Sequence, residues 1–188
     1  MPDSRIVAVL GADDRFSRPL AATVRSIVAH LTPGRELDLY LCDMGITPRN
    51  RELIETVTRH PDVRTRWIDS LSAEVGHLPE TWPGITRAAY ARLFIPAFLP
   101  AETKALYLDC DLIVRRCVGE LYDTEMGDYA AMGVADAASP FVCSPYGVPF
   151  WARYGREAGE TNFNSGVLLM NLPVWREDDI AGAAFKYL

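Results

Sequence analysis

The chain has 188 residues, 49% of them hydrophobic and 23% charged, which is the composition of a globular protein with one sizeable core. We therefore expect a single domain over residues 1–188. A net charge of −6 with scattered arginines argues against nucleic acid as a partner. The N-terminus shows neither a secretory signal nor a membrane span, so a cytoplasmic chain is expected. The four cysteines have no C-x-x-C spacing, which disfavours structural zinc and a disulfide framework.

The first part of the chain alternates between predicted strands and helices. An apolar run over residues 6–10 predicts a strand, and a helical pattern follows over 17–31. Residues 37–42 predict a second strand, 47–57 a second helix and 63–68 a third strand. This alternation is typical of βαβ units, so the predicted fold class is α/β, Rossmann-like, with a mostly parallel sheet and helices on both faces.

The second part is less regular. Residues 86–99 have helical spacing, and the apolar run over 106–114 predicts a buried strand. A further strand is predicted over 129–134, and a segment rich in proline, glycine and aromatic residues follows over 137–159. Residues 164–172 predict the last strand, which leads into a final helix.

Two aspartates, Asp109 and Asp111, interrupt the apolar run over 106–114. Carboxylates in a buried strand are costly to desolvate and repel each other, so a cation is expected between them. Because strand side chains alternate, both carboxylates should face the same way and Cys110 the opposite packing layer. Oxygen ligands of this kind suit Mg²⁺ or Mn²⁺, which can share its other positions with phosphate oxygens. The alternative is a capping or turn carboxylate at a strand end.

A ligand crevice is expected where the strand order of an open α/β sheet reverses. Asp13 and Asp14 follow the first predicted strand, as Asp109 and Asp111 follow a later one. If these strand ends are neighbours, the crevice between them would hold a nucleoside diphosphate, with its base near the first loop and a metal near the second. The sequence has neither a P-loop nor a dinucleotide-binding glycine motif. The alternative role for Asp13 and Asp14 is capping of the following helix.

Taken together and in order, four segments resemble the motifs of family 8 glycosyltransferases, which include retaining bacterial galactosyl- and glucosyltransferases of lipopolysaccharide assembly. The segments are GADDRF at 11–16, YARL at 90–93, LYLDCD at 106–111 and FNSGVLLMNL at 163–172. The resemblance implies the GT-A fold. It also implies a UDP-sugar donor and a carbohydrate or glycolipid acceptor.

The resemblance assigns expected roles to individual residues. It implies that Asp13 bonds the uracil and that Phe16 stacks on the base, while Arg92 lies near the diphosphate. Asp109 and Asp111 are implied to bind the metal, Mn²⁺ or Mg²⁺. The other residues implied to contact the donor are Ala12, Cys110, Asp136, Asn164, Ser165 and Gly166.

The resemblance is more specific about Asp136 and about the turn at residues 164–166. Asp136 falls near a family carboxylate that bonds the donor sugar. At the sugar-site turn, Gly166 would permit close approach and the Asn164 amide can bond a hydroxyl. Without the family, that segment would be a turn before a buried strand. Trp82, Trp151 and Trp175 could stack on sugars, although large aromatic residues are more often found in cores.

The implied function is transfer of a galactose or glucose unit from a UDP-sugar to an acceptor hydroxyl, with retention, in glycan or lipopolysaccharide synthesis. The sequence contains neither the family's Asp-Gln pair nor its His-x-x-Gly-x-x-Lys-Pro-Trp segment, whose histidine is the third metal ligand. We therefore expect this chain to be the N-terminal, nucleotide-binding portion of such an enzyme. Any peripheral attachment to the inner face of the membrane would be made by the absent C-terminal segment. The alternative is an inactive sugar-nucleotide-binding module.

A rival enzyme class shares the aspartate spacing. In phosphatases of the haloacid dehalogenase type, Asp109 would attack phosphorus and Asp111 would act as acid and base. That chemistry needs a downstream lysine, and Lys186 is the only lysine that follows Asp111. Phosphatase activity without a sugar donor would favour this rival.

Overall fold

The computed structural model describes residues 4–69, 71–79 and 86–186. A six-stranded sheet forms its centre. The strands are β1 (Arg5–Ala12), β2 (Glu36–Asp43), β3 (Val63–Ile68), β4 (Lys104–Leu108), β5 (Ala131–Ala135) and β6 (Phe163–Asn171). The helices are α1 (Ser17–Ala29), α2 (Pro48–Thr58), α3 (Leu71–Val75), α4 (Ala91–Phe98), α5 (Gly119–Tyr122), α6 (Leu172–Glu177) and α7 (Ile180–Phe185). Short 3-10 turns lie at Asp14–Phe16, Arg87–Tyr90 and Trp151–Tyr154.

The strand order is β3-β2-β1-β4-β6-β5. β1 pairs in parallel with both β2 and β4, and β2 pairs in parallel with β3. β6 runs antiparallel to β4 and to β5. The chain therefore proceeds outward from β1 through β2 to β3 and then returns to the other side of β1. The α/β prediction with a mostly parallel, mixed sheet is confirmed, and the reversal of strand order lies between β1 and β4.

Helices cover the sheet because the central strands are apolar on both faces. From Ile6 to Ala12 every residue of β1 is buried, as is every residue of β2 from Leu37 onward. Helix α1 packs on α2, whereas α4 packs on α6 and α7. Parallel crossovers are right-handed, so the connections from β1 to β2 to β3 and the connection from β3 back to β4, which cross the sheet in opposite directions, place their helices on opposite faces. No helix in the described part of the chain is long and apolar enough to cross a membrane.

The predicted strand over 106–114 is wrong beyond Leu108, where β4 ends. Hydroxyl groups of α1 bind the backbone that follows. Thr23 Oγ1 lies 2.8 Å from the Cys110 carbonyl oxygen and accepts from the Leu112 amide at 3.0 Å. Ser26 Oγ accepts from the Val114 amide at 2.9 Å. Because these bonds satisfy the backbone that a strand would pair, the chain leaves the sheet at Asp109.

Other differences concern short elements. The helical pattern over 86–99 forms a 3-10 turn followed by α4, which contains Pro96. The short helices α3 and α5 were not predicted. The strands predicted at 129–134 and 164–172 are confirmed with ends shifted by one or two residues, to Ala131–Ala135 and Phe163–Asn171.

Candidate nucleotide-sugar site

A cavity of about 460 Å³ opens between the carboxyl ends of β1 and β4. These two strand ends are neighbours, as the crevice prediction required. The cavity wall brings together Ala12, Asp13, Phe16, Arg92, Asp109, Cys110, Asp111, Asn164, Ser165 and Gly166. Of the donor-site residues predicted from the sequence, Asp136 alone is not on this wall.

The β1 side of the cavity contains Asp13 and Phe16. Asp13 Oδ1 accepts hydrogen bonds from the backbone amides of Arg15 at 3.0 Å and Phe16 at 3.2 Å. Asp13 therefore caps the 3-10 turn that precedes α1, as the alternative interpretation predicted, and it also faces the cavity. The Phe16 ring is partly buried against the core. Both residues are thus held in defined positions at the cavity wall.

Asp14 has a different position and a structural role. Its Oδ1 accepts from the Thr47 amide at 2.7 Å, the Thr47 hydroxyl at 2.9 Å and Asn50 Nδ2 at 2.8 Å. Asp14 thereby joins the turn after β1 to the start of α2. The bond from the Thr47 amide, followed by that from Asn50, lowers the pKa of Asp14 below its ordinary value of 3.8.

We expect Asp14→Ala to lower the melting temperature at neutral pH without changing UDP binding, because Asp14 is not on the cavity wall. A carboxylate with a lowered pKa contributes stability above its unfolded-state pKa, and this contribution is lost as the pH falls through the folded-state value. Melting curves of both proteins should therefore converge as the pH falls below 3.8. A difference that persisted undiminished in acid would contradict this role of the Asp14 charge.

The β4 side of the cavity is organised around Asp109. Its Oδ1 accepts from the Tyr107 hydroxyl at 2.7 Å and from Arg92 Nη2 at 3.1 Å. Arg92 also donates through Nη1 to the Ser165 carbonyl at 2.5 Å and through Nε to the Ala89 carbonyl at 2.8 Å. Its guanidinium lies 4.5 Å from the centre of the Tyr107 ring. Arg92 therefore joins α4, β4 and β6 and balances the charge of Asp109.

The start of β6 closes against the same carboxylate. The Asp109 amide donates to the Gly166 carbonyl at 2.8 Å, and the Gly166 amide donates to Asn164 Oδ1 at 2.8 Å. A Cβ atom at position 166 would lie 2.5 Å from Asp109 Oδ2 and 2.9 Å from Asn164 Oδ1. Glycine therefore allows the backbone of β6 to approach Asp109 Oδ2.

The second aspartate is less constrained. Asp111 is exposed on the cavity wall, beyond the end of β4. Cys110, which was predicted to face the opposite packing layer, packs partly against the core and also belongs to the cavity wall between the two aspartates. Burial, followed by the charges of Asp111 and Asp109, raises the pKa of the Cys110 thiol to about 12. This thiol therefore stays protonated at neutral pH.

Two carboxylates are available for a cation at this wall. No group of three or more His, Cys, Asp and Glu side chains among the described residues could hold a metal. Asp109 and Asp111 nevertheless supply the hard oxygen ligands that suit Mg²⁺ or Mn²⁺. Because residue 166 has no side chain, Asp109 Oδ2 can lie close to the β6 backbone on this wall. The residues present fit part of a metal site whose other ligands must come from elsewhere.

Asp136 lies one contact away from the cavity. Its Oδ2 accepts from Asn164 Nδ2 at 3.3 Å, and its Oδ1 accepts from the amides of Ala138 and Ser139 at 2.8 and 2.9 Å. The bonds from Ser139 and Ala138 lower the pKa of Asp136. Asp136 can therefore orient the Asn164 amide even though it does not line the wall.

Of the tryptophans considered as sugar platforms, Trp151 and Trp175 are not on the cavity wall. Trp82 lies outside the described residues. Trp151 belongs to a 3-10 turn in the β5–β6 connection. Trp175 is buried in the core, where its Nε1 donates to the Ala130 carbonyl at 2.8 Å. A core role explains Trp175 without reference to sugars.

Sequence reasoning missed Tyr107 and Gly11 as residues of this wall. The signal for Tyr107 was present, since residues two apart on a strand share a face and Tyr107 precedes Asp109 by two. A Cβ atom at Gly11 would lie 3.2 Å from the Ala91 Cβ and 3.3 Å from the Cys42 Cβ. Gly11 therefore lets the start of α4 pack close to β1, a contact that only the tertiary structure reveals.

Solved structures with the same fold define the class of protein. The chain is 28% identical to the galactosyltransferase LgtC, solved in complex with donor and acceptor sugar analogues; the alignment covers 92% of this chain and 60% of that one, with a TM-score of 0.72. The bifunctional glycosyltransferase WbbM gives a TM-score of 0.80 at 23% identity, over 95% of this chain and 33% of that one, which supports the fold alone. The chain has the GT-A fold of glycosyltransferases.

The model of glycosyl transferase family 8 matches residues 7–188, and the chain belongs to this family. General stress protein A of Bacillus subtilis is 27% identical over 94% of this chain and 59% of its own length. Glycosyltransferase GlyF of Streptococcus pneumoniae is 29% identical over 95% of this chain and 39% of its own length. The chain thus spans less than two thirds of the length of these relatives. Membership of the family makes a role in glycosyl transfer the expected one.

Proposed function

We propose that this chain is the nucleotide-sugar-binding unit of a metal-dependent retaining glycosyltransferase, which moves a galactose or glucose unit from a UDP-sugar to an acceptor hydroxyl. The observation that carries the proposal is the pair Asp109 and Asp111 on the wall of the cavity at the strand-order reversal, with Arg92 beside them. Carboxylates and a guanidinium at one wall can bind a cation and a diphosphate together.

The cavity divides into regions by chemistry. Ala12, Asp13 and Phe16 would bind the uracil, because a carboxylate can accept from the base N–H while the ring stacks on its face. Arg92 would bind diphosphate oxygens through its planar guanidinium. We place the hexose beside the turn at residues 164–166, where Asn164 can donate to a sugar hydroxyl. Cys110, Ser165 and Gly166 complete the wall, with Asp136 orienting Asn164 from behind.

The metal would be held by Asp109 and Asp111, with Mn²⁺ or Mg²⁺ as the candidates. When bound, such an ion neutralises charge that develops on a UDP leaving group. The chain's own residues bind and orient the donor: Arg92 positions the diphosphate, and Asn164 positions the sugar. The acceptor we propose is a carbohydrate or glycolipid. We place the reaction in the cytoplasm or at the inner face of the cell membrane.

A second candidate function is sugar-nucleotide binding without turnover. It is favoured by the cavity wall, which offers two acidic ligands, and by the described residues, among which no group of three or more His, Cys, Asp and Glu side chains could hold a metal. In this case residues 1–188 would form one domain that binds the sugar nucleotide without transferring the sugar.

Calorimetry with UDP, in the presence and absence of Mn²⁺, tests the proposed site directly. We expect binding that depends on the metal, because the diphosphate and two carboxylates would otherwise repel each other. Hydrolysis of UDP-galactose and UDP-glucose, measured in parallel, distinguishes the candidates: binding with turnover supports the enzyme, and binding without turnover supports the binding module. If neither occurred, the proposed function would be wrong.

A further inference from the structure

Tyr107 is a buried residue whose hydroxyl group reaches the cavity. Only 2% of the residue is exposed, yet it forms part of the cavity wall. Its hydroxyl donates to Asp109 Oδ1 at 2.7 Å, and an ordinary phenol has a pKa of about 10. The hydroxyl therefore keeps its proton and acts as a donor at neutral pH.

The two oxygens of Asp109 have different surroundings. Oδ1 receives both donors, the Tyr107 hydroxyl at 2.7 Å and Arg92 Nη2 at 3.1 Å. Oδ2 lies beside Gly166, where a Cβ atom would come within 2.5 Å of it, and it accepts no hydrogen bond among the described residues. A carboxylate held through one oxygen by two donors has a fixed orientation, so its other oxygen presents lone pairs in a defined direction.

Arg92 and Tyr107 differ in whether they can keep their hydrogen bonds to Asp109 Oδ1 when a UDP-sugar binds. Arg92 is a cationic side chain on this wall, and a diphosphate would attract its guanidinium away from Asp109. A neutral phenol buried in the core has no such competing ligand. Tyr107 is then the donor that continues to hold Asp109.

We propose that Tyr107 is a positioning residue that holds Asp109 through Oδ1 and so directs Oδ2 toward a divalent cation in the cavity. This inference rests on the proposed function, since it assumes that Asp109 binds a metal. Outer-shell partners of this type typically contribute a factor of about 10–100 to metal affinity. The alternative is that Tyr107 is only a core residue beneath Arg92.

Tyr107→Phe separates the two roles, because it keeps the ring that packs beneath Arg92 and removes the hydroxyl. We expect Mn²⁺ affinity in the presence of UDP to fall by about 10-fold, measured by electron paramagnetic resonance of free Mn²⁺. The matched control is Tyr122→Phe. Tyr122 is also buried, and its hydroxyl donates to the Lys104 carbonyl at 3.3 Å, away from the cavity wall. The control should keep the wild-type Mn²⁺ affinity.

Replacement of Tyr107 by p-aminophenylalanine restores a donor at the end of the ring and should recover most of the affinity, which repair of packing alone would not do. A Tyr107→Phe protein with a lower melting temperature but unchanged Mn²⁺ affinity would overturn the inference, as would equal losses in the Tyr122 control. Failure of the wild-type protein to bind Mn²⁺ with UDP would instead refute the proposed function, so the two failures are distinguishable.

Discussion

Asp109→Asn and Asp111→Asn together are expected to abolish Mn²⁺-dependent binding of UDP. Each substitution removes a negative charge and an oxygen ligand while keeping the size of the side chain. Loss of one outer-shell partner typically lowers metal affinity by about 10–100-fold. Loss of both metal ligands should lower the affinity for Mn²⁺ and UDP by more than this. Calorimetry with UDP and Mn²⁺ measures the effect.

The single variants separate binding from folding. Asp111 is exposed, and among the described residues no hydrogen bond holds its side chain, so Asp111→Asn should lose metal affinity at an unchanged melting temperature. Asp109 is paired with Arg92 at 3.1 Å, so Asp109→Asn should also lower the melting temperature.

Asp128→Asn is the matched control, because Asp128 is exposed and not on the cavity wall. It removes the same charge from the protein and should leave UDP binding unchanged. If UDP still bound in a Mn²⁺-dependent manner to the protein with both aspartates replaced, Asp109 and Asp111 would not be the metal ligands. That result would remove the main support for the proposed function.

The arrangement of strands was predictable because the physics that sets it is local and periodic. A short continuous apolar run such as that of β1 is typical of a buried strand, and β/α alternation favours parallel pairing. The position of the cavity then follows from topology, since ligands bind where the strand order reverses. This explains why Asp13 and Asp109, far apart in sequence, could be expected at one crevice.

The local geometry of the aspartates was not predictable in the same way. The apolar residues after Asp111 have strand character, but Thr23 and Ser26 of α1 supply hydrogen bonds that end β4 at Leu108. These partners are more than 80 residues away, as the sequence separations of 89 and 88 show. No periodicity reports such a contact. The hydrogen bond between Arg92 and Asp109 also joins different elements, so the periodicity of the sequence could not predict it either.

Gly166→Ala is expected to destabilise the protein and to impair Mn²⁺-dependent UDP binding. The new Cβ atom would lie 2.5 Å from Asp109 Oδ2 and 2.9 Å from Asn164 Oδ1, so the carboxylate or the strand must move. Overpacking of this kind costs about 1–3 kcal/mol of the free energy of unfolding. For a protein of this size, each kcal/mol lowers the melting temperature by about 2–4 °C. We expect UDP affinity to fall by about 10-fold, which corresponds to a loss of about 1.4 kcal/mol of binding free energy.

Gly159→Ala provides the control for the general effect of replacing glycine. Gly159 is in the connection that precedes β6, and a Cβ atom there would have no neighbour within 4 Å. This variant should keep the melting temperature and the UDP affinity of the wild-type protein. Thermal denaturation and calorimetry on both variants would show whether the close approach of β6 to Asp109 matters. If Gly166→Ala bound UDP as tightly as Gly159→Ala, Asp109 Oδ2 would tolerate displacement, and a defined orientation of this oxygen would be unnecessary for binding the metal and the diphosphate.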